Sequence, residues 1–187
     1  RLLRQVRKEE LVMRFRWKSS SVMILLSATL HANVQTTGGL VAGHAPVTKG
    51  KVLILSVPDG KERGGDVATG SGGKIATAIR DALVSRGIAP LTSDHEALTD
   101  GVKEARELGY DYVLKARLTE WEDNATEWSG KADSAALSVE IYDLTPALIS
   151  AGSHRKKASS FAITSGTPDR FVPELVRLTL ARVFAPR

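Results

Sequence analysis

The run Lys51-Val52-Leu53-Ile54-Leu55-Ser56-Val57 is almost wholly apolar without alternation and closes on Pro58-Asp59-Gly60, a turn signal. A strand apolar on both faces must be covered on both faces, which predicts a sheet with helices packed on each side. Beyond the polar, glycine-rich stretch 61–73, Ile75, Ala76, Ile79, Ala82 and Leu83 recur at helical spacing, and Gly87 is placed to end that helix. Ile88-Ala89-Pro90-Leu91 reads as a second strand, at an edge because of its proline. Ser93-Asp94-His95-Glu96 has the form of a capping box, and Val102, Ala105 and Leu108 give the next helix its buried stripe until Gly109.

The period then changes to two. Tyr112, Leu114, Ala116 and Leu118 alternate with Val113, Lys115, Arg117 and Thr119, and Ala135, Leu137, Val139 and Ile141 repeat the pattern. Asp143-Leu144-Thr145-Pro146 turns the chain into Leu148-Ile149-Ser150-Ala151, so these strands are expected to form antiparallel hairpins. Thr167-Pro168-Asp169 and Pro173-Glu174 start the last helix, whose inner face is Leu175, Val176, Thr179, Leu180 and Val183. The predicted class is α/β (α+β), a mixed sheet in the order β-α-β-α-β-β-β-α with helices packed on it.

The formal charge of +5 suggests nucleic acid until it is located. Of 26 basic and 21 acidic residues, seven and two fall within positions 1–18, leaving 19 of each sign beyond. The folded part is neutral and lacks the footprint that holds phosphate backbones, so neither nucleic acid nor nucleotide is an expected partner. The basic segment runs into Val22-Met23-Ile24-Leu25-Leu26 and then small residues to Ala32, the parts of a signal peptide, with Met13 as the expected start. Residues 1–32 thus read as an upstream extension plus signal, 33–50 as a flexible linker and 51–187 as a single globular domain. The expected location is the periplasm, with outer-membrane association through a partner. No cysteine is present, which excludes disulfides, thiolate chemistry and lipidation of a cysteine.

The segment Trp121 to Asp133, WEDNATEWSGKAD, departs most sharply from ordinary composition. Two of the three tryptophans stand there among Glu122, Asp123, Glu127 and Asp133, with Lys131 beside them. Three readings of it compete. In the first, Trp121 and Trp128 fold back over the sheet. In the second, exposed aromatics and carboxylates make a docking site for a protein or glycan. In the third, Glu122, Asp123, Glu127 and Asp133 gather Ca²⁺, although the D-x-[DN]-x-[DN]-G loop is absent. The candidate binding residues are therefore Trp121, Glu122, Asp123, Glu127, Trp128, Lys131 and Asp133, with no cofactor, metal or catalytic residue assigned.

The WED-x-ATEWSG-K-x-D block, set before an alternating strand that ends in an Asp turn, resembles a family of bacterial envelope lipoproteins grouped as a domain of unknown function, over roughly residues 50–187. The element order, with Gly109-Tyr110-Asp111-Tyr112-Val113 entering a strand, is similar to the TolB N-terminal domain and the periplasmic part of curli-secretion lipoproteins. The family's lipidated cysteine has no counterpart here. The reading of the whole chain is a non-catalytic exported accessory protein that binds an envelope protein or polymer through the Trp-acid hairpin; the alternative is an envelope glycan-acting hydrolase using carboxylates of the same block.

Other motifs are weaker. In Ala68-Thr69-Gly70-Ser71-Gly72-Gly73-Lys74-Ile75, two of the four fixed positions of a phosphate loop fail, and a helix-capping loop is the simpler reading. Only His95 and His154 fall in the domain, without metal spacing or a nucleophile elbow nearby. Arg155-Lys156-Lys157 reads as a charged edge that discourages strand pairing.

Overall fold

The computed structural model describes residues 47–124, 131–158 and 167–185, together with the backbone of 35–40. A six-stranded mixed sheet forms from β1 (Gln35–Leu40), β2 (Lys51–Ile54), β5 (Ala89–Thr92), β6 (Tyr112–Glu122), β7 (Ser134–Tyr142) and β8 (Leu148–Lys157), in the order β1-β8-β7-β6-β2-β5. A small hairpin, β3 (Gly60–Lys61) with β4 (Val67–Ala68), follows β2. The helices are α1 (Ser71–Ser85), α2 (Leu98–Leu108) and α3 (Val172–Val183), the last entered through a short 3-10 turn at Pro168–Phe171.

The unbroken apolarity after Lys51 is accounted for by two cores. Val52 and Ile54 point to one face with Ile75, Ile79 and Leu83 of α1 and Leu175, Val176 and Leu180 of α3. Leu53 and Leu55 point to the other with Val102 and Ala105 of α2 and Val113. β2 lies parallel to both β5 and β6, one place in from the β5 edge, as the crossover helices require. From β6 onward the neighbours are antiparallel, and Val113–Glu122 pairs with Ser134–Tyr142 in the expected hairpin.

Three expectations need correction. Residues 35–40, read as linker, form an edge strand against β8, with Gln35 opposite Lys157 and Leu40 opposite Gly152. Backbone pairing needs no apolar alternation, so a Thr-Gly sequence gave no periodic signal. Val47 is buried too, its backbone paired in parallel with Phe184. The capping box is not formed: α2 begins at Leu98 with Ala97 as its N-cap and no side-chain cap. The buried Ser93 hydroxyl instead accepts the His95 N–H at 3.1 Å and donates to Glu104. Finally, Arg155-Lys156-Lys157 stands on a strand paired on both sides, so it protects no edge.

Candidate functional site

The glycine-rich loop before α1 already holds its anion, and that anion is a side chain. Asp59 accepts the Gly70 N–H at 3.0 Å and the Gly72 N–H at 2.8 Å, and those two bonds hold its carboxyl below the usual range. A Cβ on Gly72 would lie 2.0 Å from the Val57 carbonyl oxygen, so close packing of helix on strand dictates that glycine. The loop is a helix cap.

At the Trp-acid block, a β-bulge decides which side chains turn inward. Alternation along β6 puts Leu114, Ala116 and Leu118 toward α1 and α3, and its continuation would bring Glu120 in and Trp121 out. The register slips between Leu118 and Glu120, leaving Thr119 as the extra residue. Trp121 is therefore opposite Ala135 in the main core, only 4% exposed, while Glu120 and Glu122 fall on the opposite face. A Cβ on Gly60 would lie 2.8 Å from Trp121 Cβ, so β3 closes on the indole side. Trp121 presents no exposed ring for docking.

The rest of the block divides. Asp133 is buried, accepts the Asn124 N–H at 3.0 Å and pairs with Arg170 at 2.8 Å, which fastens the loop ends to the turn before α3. That turn is itself anchored: Phe171 is buried, with the Arg170 guanidinium 4.9 Å and the Lys156 ammonium 5.6 Å from its ring centroid. Lys156 also pairs with Glu174 of α3. Asp123 is half-buried, and burial, followed by the charges of Asp133 and Asp169, pushes its carboxyl up. Glu127 and Trp128 lie outside the described residues. Among the described residues no three acidic or histidine side chains gather as a metal would require.

Glu122 and Lys131 do come together, in an open cleft of about 360 Å³ on the sheet face opposite α1 and α3. Its walls are the β3–β4 hairpin with Glu62 and Arg63, and β8 with Arg155 and Lys157. Arg155 reaches across Ala136 of β7 to grip Glu120 with two nitrogens, at 2.6 and 2.7 Å. Burial pushes Glu120 up, but the hydrogen bonds from Arg155 and from the Ser134 hydroxyl together hold its carboxyl below the usual range. Arg63 stands 3.7 Å from Glu122. Burial pushes Glu62 up, and the charges of Asp123, Asp66 and Glu122 add to it.

Glu62, Arg63 and Glu120 were not singled out from the sequence, and Arg155 and Lys157 were read only as a charged edge. Arg155 and Lys157 carry a usable signal, two cations at strand spacing, but their facing depends on the bulge in a different strand. Nothing local in sequence brings the Glu62-Arg63 tip over the sheet. Of the two histidines in the domain, His95 is exposed before α2, whereas His154 is buried with both ring nitrogens lacking a hydrogen-bond partner.

Fold and site together define a mixed sheet with helices on both faces of β2 and a polar cleft on the outer face of β6–β8. The chain belongs to the family described as domain of unknown function DUF4823, which matches residues 48–177. Among curated proteins none matches it in sequence. Its fold is similar to that of PelC from Paraburkholderia phytofirmans, a dodecamer, with a TM-score of 0.64 at 16% identity over 82% of this chain and 100% of that one. A PelC point variant matches with a TM-score of 0.59 at 15% identity, over 81% and 98%. A DUF330 protein from Xanthomonas campestris matches at 0.47 and 11% identity, over 74% and 86%. Among the described residues no helix is long and apolar enough to cross a membrane.

Proposed function

We propose that this protein is a non-catalytic accessory component of the bacterial envelope, exported to the periplasm, that binds another envelope component through the cleft at the foot of the Trp-acid block. The observation that carries this reading is the bare sheet face: α1 and α3 cover one side of β6–β8, and the other side keeps a cleft lined with charged side chains. The basic-then-apolar N-terminus supports export. The fold shared with PelC, which forms a dodecamer, supports a place in a larger assembly.

The hydrolase alternative needs one carboxyl held protonated and a second one free to act as nucleophile or base. Glu120 is committed to Arg155 and Ser134, and Glu122 to Arg63. Glu62 is a cleft carboxyl pushed up, but it stands on an open hairpin where solvent screens its neighbours. Binding is the better use of these groups.

The test is co-sedimentation of the purified full chain with envelope membranes and sacculi. Lys131→Glu, in the cleft, should release the protein into the supernatant, while Arg80→Glu on the exposed side of α1 should sediment like wild type. Equal sedimentation of both variants would remove the cleft from the function.

A further inference from the structure

We infer that His154 is an acid latch for the edge strand: while its ring is neutral β1 stays docked on β8, and when the ring takes up a proton β1 is released. The latch lies on the inner face of the sheet and does not depend on what the cleft binds. His154 is 3% exposed, and neither ring nitrogen has a hydrogen-bond partner among the described residues. A neutral imidazole tolerates such a place. An imidazolium carries two N–H donors and a charge, and would have to bury both without an acceptor.

The neighbours oppose a charged ring from each side. On β8 itself Lys156 stands two residues along the same face, and α3 brings Arg182 and Arg177; all three act against a positive imidazole. Glu174, the only carboxylate on α3, is engaged by Lys156. On β7 the opposite residue is Leu137 and on β1 it is Gly38, with no ionisable residue anywhere in 35–40.

Protonation must therefore move something, and the packing decides which side gives way. Leu175, Val176, Thr179, Leu180 and Val183 hold α3 down, all buried, and β7 lies between two strands. β1 is joined to the sheet on one side only, by its backbone ladder to β8, and Gly38 and Gly39 in its middle gain the most freedom on release. The opening has a limit at Val47, whose N–H donates to the Val183 carbonyl and whose own carbonyl accepts the Ala185 N–H. What the latch controls is the outer backbone edge of β8, covered when β1 is docked and open to another strand when it is not.

A ring harder to protonate docked than free takes its proton on release, so docking is complete above about pH 6.5 and weakens as pH falls below it. Amide hydrogen exchange of the full chain at about pH 7.5 and about pH 5.5, corrected for intrinsic rates, tests this above the ordinary carboxylate range. Protection of residues 35–40 should fall about tenfold in acid, while 135–141 of β7 and 175–183 of α3 keep theirs. His154→Leu, which cannot be charged, should hold β1 protected at both values, and Arg182→Gln, which removes one opposing charge, should make the fall smaller. Loss of protection in α3 or throughout the domain would show that acid loosens the core and not the strand. An undiminished fall in His154→Leu would assign the event to another group, and equal protection at both values would leave β1 without a latch. Any of these results overturns the inference. If His154→Leu does not fold, Arg182→Gln decides, and an unchanged fall there overturns it as well.

Discussion

The two faces of β6–β8 are made by the same strands yet obey different rules. The inner face, beneath α1 and α3, carries Leu114, Ala116, Trp121, Leu137, Val139 and Ile141, all buried. The outer face, a residue away along each strand, carries Lys115, Arg117, Glu120, Ser138, Glu140 and Arg155, which are exposed or half-buried. Such a division is natural to an antiparallel sheet, whereas the parallel strand β2 is apolar on both sides because helices cover both. One irregularity changes the assignment, the extra residue at Thr119, which exchanges the faces of everything after it in β6. Stability should therefore reside on one face and binding on the other, and substitutions on each can break or sharpen that separation.

The largest effect belongs to Trp121. Replacement by Ala empties a buried indole site and should cost about 3–5 kcal/mol by chemical denaturation. A loss below about 1 kcal/mol would place the indole at the surface and return the block to the docking reading.

Asp133→Ala comes next. The carboxylate is 9% exposed on its side chain and its Arg170 partner 35%, so this pair lies between a surface bridge and a buried one. Removing it also strands the Asn124 N–H, and the expected loss is about 1–3 kcal/mol. Asp133→Asn, which keeps an acceptor, should recover part of it. Binding of the cleft ligand should survive both variants if Asp133 is a fastening residue.

Much of this division was legible in the sequence, and where it was not the reason is physical. The period-two runs predict the pairing of β6 with β7, and the helical stripes predict the buried faces of α1 and α3, because burial imposes those periods. Trp121 eluded the pattern because one extra residue reverses strand parity and leaves no mark in composition. The strand at 35–40 eluded it because an edge strand is held by backbone groups. The cleft eluded it because Glu62, Glu120 and Arg155 meet only after the hairpin, the bulge and the last strand are in place.

His154 is an inner-face side chain whose ring nitrogens lack a hydrogen-bond partner among the described residues, and it gives the comparison a pH dependence. Burial, aided by Arg182, Lys156 and Arg177, pushes its pKa below the ordinary 6.5. The unfolded chain therefore takes up this proton first, so the stability contributed by the neutral ring is complete above about pH 6.5 and is lost as pH falls toward the folded value. Melting temperature should drop on acidification through that window. His154→Leu removes two unpaired nitrogens at similar volume, and should flatten the drop and add about 1 kcal/mol at pH 7. An unchanged acid limb in the variant would assign the loss to other groups.

The smallest stability effect is expected one residue further along β8, and that contrast is the sharpest form of the comparison. Lys156 turns inward to Glu174 and Phe171, while Arg155 turns outward to Glu120. Arg155 is 44% exposed on its side chain, so its bidentate bond is screened and Arg155→Gln should cost only about 0.2–1 kcal/mol. Because the pair holds Glu120 below the usual range, what stability it contributes is present above the ordinary glutamate pKa of 4.5 and disappears as pH falls through the folded value. At pH 7 the fold should scarcely register the substitution, yet it removes a cation from the cleft wall and frees the Glu120 carboxylate. Binding of the cleft ligand should change by much more than the stability does. A variant that loses several kcal/mol and keeps its affinity would reverse the roles assigned to the two faces, making the outer bridge part of the scaffold.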